Sequence, residues 1–101
     1  MSASSAPADR PVARRCLVSG RVQGVYYRAS AAQRARAAGI TGHARNLPDG
    51  RVEVLVVGSD SAVEEFIAWL WIGPSAAKVS HVAAEALVLA PEQLPREFRT
   101  V

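Results

Sequence analysis

The chain has 101 residues, half of them apolar and 21% charged, which allows one domain with a single modest core and leaves too little for a second. No apolar run approaches the ~20 residues that cross a bilayer, and the Ser/Ala/Pro-rich start from Met1 to Pro11 lacks the apolar stretch of a secretory signal. The net charge of +3 conceals an asymmetry: residues 1–51 carry nine arginines against Asp9 and Asp49, whereas residues 52–101 carry Lys78, Arg96 and Arg99 against seven carboxylates.

A basic half of this kind attracts a small anion or a nucleic acid equally well. Residues 1–13 read as a disordered tail, residues 14–101 as one domain, and the protein as cytoplasmic. Cys16 has no partner for a disulfide or a cysteine-based zinc site. Its place in an apolar strand predicts a buried structural thiol.

In chain order, Arg15 to Ser19 reads as a first strand ending at Gly20. Tyr27 to Ala38 is rich in Ala, Arg and Gln, all good helix formers, with Ala31, Ala35 and Ala38 sharing one face. Gly39 stands where a helix-terminating glycine belongs. Thr41 to Leu47 and Arg51 to Gly58 read as strands joined by Pro48-Asp49-Gly50, the turn chemistry of a hairpin. Ser61-Ala62-Val63-Glu64 has capping-box spacing and opens a second helix with Val63, Phe66, Ile67 and Leu70 as its apolar stripe, stopped by Gly73-Pro74. Lys78 to Leu89 holds a long strand, and Phe98 to Val101 a short terminal one. The order β-α-β-β-α-β predicts an α+β, ferredoxin-like two-layer sandwich, an antiparallel sheet with two helices on one face.

The run Gly20-Arg21-Val22-Gln23-Gly24-Val25-Tyr26-Tyr27-Arg28 places two glycines and a fixed cation where the first strand gives way to the first helix. Such a turn can aim several backbone N–H groups at one anion, and Gly24 would let a ligand approach the backbone closely. Arg28, in the first helical turn, can reach back with a fork matched to phosphate oxygens. An ordinary tight turn would look the same, and the Walker pattern is absent. Asn46, beside the hairpin, can orient a water by donating and accepting at once, or can simply cap the turn. His43 and His81 show no metal-ligand spacing, Ser19 and Ser30 have no evident base partner, and Asp49 and Glu53 are explained by the turn and a strand face. Hydrolysis here would depend on positioning and electrostatics, with the substrate taking the water's proton.

Gly20-Arg21-Val22-Gln23-Gly24-Val25-x-x-Arg28 resembles the signature of the acylphosphatases, and Gly42-x-x-Arg45-Asn46-x-x-Asp49-Gly50-x-Val52-Glu53 resembles their second signature. Gly73-Pro74, Ala77 and Val79 also match the family, so the likeness covers roughly Arg14 to Val101. It implies hydrolysis of the carboxyl–phosphate bond of a small acyl phosphate to a carboxylate and inorganic phosphate, without metal or cofactor. It further implies that backbone amides from Val22, Gln23, Gly24, Val25 and Tyr26 cradle the phosphate, that Arg28 binds its oxygens, and that Asn46 orients the attacking water.

The chain departs from the family where His43 and Ala44 replace an aromatic residue and Val, which predicts a looser strand or a histidine packed in the aromatic's place. Ser30 and Ala31 are smaller than the residues common in that helix. Trp71 and Ile72 stand where charged residues are usual. The chain is expected to be a monomer, with that pair either a patch for weak self-association or, through Trp71, a cap on the sheet. RNA-recognition modules share this topology but stack bases on central-strand aromatics, which Arg51 to Val57 and the first strand lack. Neither nucleic acid nor a membrane is expected as a partner. A domain that binds phosphate with little turnover is the other alternative, and both Arg28 and Asn46 argue against it.

Overall fold

The computed structural model describes residues 11–101, so most of the expected tail lies outside the described residues. Val12 and Ala13, which the sequence reading left in that tail, already belong to the first strand. The elements run β1 (Val12–Arg21), α1 (Tyr27–Ala37), β2 (Thr41–Asn46), β3 (Val52–Gly58), α2 (Asp60–Leu70), β4 (Lys78–Leu87), a single 3-10 turn (Pro91–Gln93) and β5 (Phe98–Thr100). Among the described residues no helix is long and apolar enough to cross a membrane.

The five strands form one sheet in the order β4-β1-β3-β2-β5. Val-rich β3 lies at its centre and pairs antiparallel with both neighbours, Val18 opposite Val52 and Asn46 opposite the same Val52. Two strands antiparallel to a third are parallel to each other, so β1 and β2 end at the same edge of the sheet. α1 is the crossover that this requires.

The expectation of a wholly antiparallel sheet needs correction: β5 pairs parallel with β2, with Gly42 opposite Phe98. β4 runs down the far edge and ends opposite Ala13 of β1. Residues 88–97 then cross beneath the sheet, about 19 Å at the usual strand spacing, and β5 turns back up alongside β2. The result is an α+β two-layer sandwich with a mixed sheet.

The core lies between the sheet and the helices. Cys16, Val18, Val52, Val54, Val56 and Ala44 meet Ala31, Ala32 and Ala35 of α1 and Val63, Phe66 and Leu70 of α2. Cys16 is fully buried, and burial pushes its thiol up to about 11. Ala38, predicted on the inner face of α1, is exposed; Ala32 and Ile40 are buried instead. The reason is local: the helix ends at Ala37, and Gly39 turns the chain so that Ile40 enters the core. Tyr27 is sealed between the helices, and its hydroxyl donates 2.6 Å to the backbone oxygen of Leu70. Trp69 stacks on Phe66 and receives Arg34 over its ring at 5.6 Å.

The cap of α2 is Ser59, not Ser61. Ser59 has the extended backbone that a cap requires, and its hydroxyl accepts from the Ala62 N–H at 3.3 Å. Ser61 already lies inside the first turn. Past this helix, Trp71 meets His81 of β4 edge-to-face at 5.5 Å, while Ile72 stays 69% exposed.

The sheet's other face carries no helix and is held by charge. Glu53 is buried on β3, with Arg15 Nε donating to it at 2.8 Å from β1 and Arg45 at 2.6 Å from β2. His43 Nε2 lies 3.0 Å from the same carboxylate, so the histidine makes a polar contact across the strands rather than filling an aromatic's pocket. Burial alone would raise the Glu53 carboxyl, but hydrogen bonds from His43 and Arg15 and the charge of Arg45 outweigh it and hold it at about 2, below the ordinary 4.5. A carboxylate depressed on folding stabilises the protein fully above its unfolded pKa and loses that contribution as pH falls through the folded value. Stability in urea should therefore decline as pH drops from 4.5 towards 2. Glu53→Gln should lower stability at pH 7 and flatten that acid limb; an equally steep limb in the variant would exclude the network as its source.

Candidate active site

At the shared end of β1 and β2 the chain must leave the sheet and begin α1 within a few residues. β1 slips register against β4 at Ser19/Gly20, and a side chain at Gly20 would come within 2.2 Å of the Lys78 backbone oxygen. Gly24 has φ +76, a conformation that L-residues rarely adopt. Beyond its chain neighbours, no atom of the described residues lies within 4 Å of a Cβ placed there, so its need for glycine is conformational, and the space beside it opens into a cavity. Tyr26 takes the left-handed conformation at φ 62 without being glycine, an uncommon backbone state for a bulky residue.

The cavity has a volume of about 360 Å3 and is lined by Val22, Gly24, Tyr26, Tyr27, Arg28, Ala29 and Asn46. The two sequence signatures, separate in the chain, therefore meet in one concave site. Gln23 and Val25 do not line it with side chains: Val25 is buried and Gln23 is turned to the hairpin. Whatever those two residues offer a ligand comes from the backbone.

The electrostatics of the site favour an anion. Tyr26 caps α1 with no side-chain hydrogen bond, and the first turn holds no acidic residue. Its free N–H groups and positive dipole end are thus left unneutralised. Arg28 adds a full positive charge in the same turn, a placement that works against the helix dipole. α2 shows the ordinary solution, a serine cap with Asp60 in its first turn. Arg28 donates 2.9 Å to the backbone oxygen of Val101, which anchors the guanidinium at the cavity.

Asn46 ends β2, and its Oδ1 is buried without a hydrogen-bond partner among the described residues. Leaving a buried acceptor unpaired costs about 1–3 kcal/mol. The neighbouring turn does not depend on that oxygen: Leu47 N–H donates to Arg51 O at 2.8 Å, and the Asp49 carboxylate accepts from the Arg51 N–H at 3.0 Å. A buried acceptor of this kind calls for an explanation, and Asn46 is the residue of β2 that lines the cavity.

Sequence reasoning missed the part played by the Gln23 side chain. Its Nε2 donates to Leu47 O at 2.8 Å and to Arg51 O at 3.0 Å, tying the glycine loop to both sides of the hairpin that carries Asn46. The available signal was a long amide in a glycine-flanked loop. Its partners are backbone oxygens more than twenty residues away, which no local pattern reveals. A larger groove of about 650 Å3 lies between the helices, with Arg34, Glu65 and Trp69 among its lining, but it contains neither signature. Among the described residues, no three His, Cys, Asp or Glu side chains cluster as metal ligands.

Comparison with known proteins points to one family. The family model for acylphosphatase matches residues 14–100. An acylphosphatase of Chromohalobacter salexigens is 58% identical over 74 residues, 70% of this chain and 82% of that protein. One from Xanthomonas euvesicatoria is 53% identical over 81 residues, 80% of this chain and 92% of that protein. The solved structure of an acylphosphatase from Coxiella burnetii superposes with a TM-score of 0.84 at 34% identity, covering 91% of this chain and 94% of that one.

Gln23→Ala should release the loop from the hairpin and lower global stability by about 1 kcal/mol. Amide hydrogen exchange should accelerate at Gly24 and Asn46 while the centres of β1 and β3 stay protected. Unchanged exchange at both positions would show that the loop holds itself.

Proposed function

The chain belongs to the acylphosphatase family, and from that premise we propose that it hydrolyses small acyl phosphates to a carboxylate and inorganic phosphate in the cavity shared by Arg28 and Asn46. The observation that carries this reading is that Asn46, whose buried Oδ1 has no partner among the described residues, lines the same cavity as an uncapped helix start and a fixed cation.

In the proposed reaction the phosphate dianion rests against the loop from Val22 to Tyr26, with backbone N–H groups as donors and Arg28 spreading its charge over the phosphoryl oxygens. Asn46 accepts a hydrogen bond from a water through Oδ1 and holds it in line with the bond to the acyl oxygen. The water oxygen bonds to phosphorus as the phosphorus–acyl oxygen bond breaks, and the carboxylate departs with that electron pair. The water's proton passes to a non-bridging phosphoryl oxygen, giving dihydrogen phosphate. A carboxylate is a good leaving group, so alignment and charge stabilisation are the main requirements. No side chain has to act as a base, and neither a guanidinium nor an amide titrates near neutrality.

Benzoyl phosphate turnover in EDTA tests this reading. Wild type should turn over without added metal. Asn46→Ala should lower kcat on the order of 100-fold with little change in KM, because it removes only the aligned water. Arg28→Ala should lower kcat/KM and weaken inhibition by inorganic phosphate. The kcat of wild type should stay flat through about pH 6.5, where histidine titrates; a sharp bell centred there would replace this mechanism with one that uses a side-chain base.

A further inference from the structure

Two adjacent tyrosines at the cavity have opposite fates. Tyr27 is 1% exposed, with its ring in the core and its hydroxyl bonded to Leu70, whereas Tyr26 is 82% exposed. Burial therefore gives the Tyr26 ring little, and the backbone there is held at φ 62, where glycine or asparagine would fit at lower cost. The fold alone gives no reason for an aromatic side chain at this position.

The cavity supplies one. Val22 and Tyr27 line it but are each 1% exposed, so they offer almost no surface to the far end of a ligand whose phosphate occupies the loop. Gly24 and Ala29 offer no side-chain surface of any size, and Arg28 and Asn46 are polar. Tyr26 is thus the lining residue with a large, accessible apolar face. Its left-handed backbone fixes where that ring leaves the loop.

We infer that the ring of Tyr26 is the contact surface for the acyl group, which makes it the residue that favours aromatic over small aliphatic acyl phosphates. This inference rests on the reading of the cavity as an acyl phosphate site. A planar acyl group stacked or set edge-on against the ring gains contact that an acetyl group cannot make. The residue sets specificity through the part of the substrate that the phosphate cradle does not grip.

The test compares kcat/KM for benzoyl phosphate with kcat/KM for acetyl phosphate in wild type, Tyr26→Phe and Tyr26→Asn. Both substrates present the same phosphate, so any disturbance of the cradle cancels in the ratio. Asparagine tolerates the left-handed backbone and removes the ring, whereas phenylalanine keeps it. The benzoyl-to-acetyl ratio should fall roughly three- to tenfold in Tyr26→Asn, the range of an aromatic contact, and hold in Tyr26→Phe. An unchanged ratio in Tyr26→Asn would overturn the inference, and so would an equal fall in both variants, which would assign the effect to the hydroxyl. A wild type that hydrolyses neither substrate would overturn the reading of the cavity itself, a failure distinct from that of a hydrolase whose ratio is insensitive to Tyr26.

Discussion

Everything at the site depends on the two antiparallel pairings made by β3. Because β3 runs opposite to both β1 and β2, the glycine loop after β1 and Asn46 at the end of β2 emerge from the same edge of the sheet. β5, parallel to β2, brings Val101 to that edge as well, within reach of Arg28. The register matters as much as the direction. A slip of one residue between β2 and β3 would turn Asn46 to the opposite face and expose Ala44, which is now fully buried. The Val-rich inner face of β3 makes such a slip costly, so the core that stabilises the fold also aligns the site.

Stability and function are divided between the two ends of the helices and the two faces of the sheet. α2 has an ordinary cap and an acidic first turn, whereas α1 begins with a left-handed tyrosine, no side-chain cap and a cation. The buried Asn46 acceptor is unpaired, while the buried Glu53 carboxylate on the helix-free face is fully matched by Arg15, Arg45 and His43. Each unfavourable feature falls at the cavity, and in the proposed reaction each would be offset by the bound anion and water. The preorganised charge is maintained by packing elsewhere, above all by Tyr27 and the aromatic contacts around Trp69.

Departures from the family pattern are accommodated in the same way. His43 replaces an apolar contact with a hydrogen-bonding one on the open face, and Ala44 leaves room on the inner face where α1 packs closely through Ala31, Ala32 and Ala35. Small residues on the helix and on β2 thus suit one another, as expected for cores that conserve total volume. Trp71 meets His81 of β4 edge-to-face but stays 46% exposed, and Ile72 remains outside the packing.

The sequence by itself determined the elements and picked out Val22, Gly24, Tyr26, Arg28 and Asn46, which line one cavity, because those signals are local. Helix formers, valine runs and the Pro-Asp-Gly turn depend on near neighbours, and both signatures are continuous in the chain. Errors came where backbone geometry or the path of the chain decides. Ser59 and Ser61 both offer a hydroxyl, and backbone geometry selected Ser59. Ala38 lost the inner face to Ile40 because the helix stopped one residue earlier, and β5 became parallel because the return path from β4 to the far edge reversed its direction. Only the tertiary structure could decide that Gln23 ties the loop to the hairpin, that Arg28 is held by Val101, and that Asn46 keeps a free buried acceptor. The physical reason is common to the first two. A hydrogen bond across twenty-four or seventy-three residues exists only once the sheet has fixed both ends, and nothing in the local sequence encodes the distance between them.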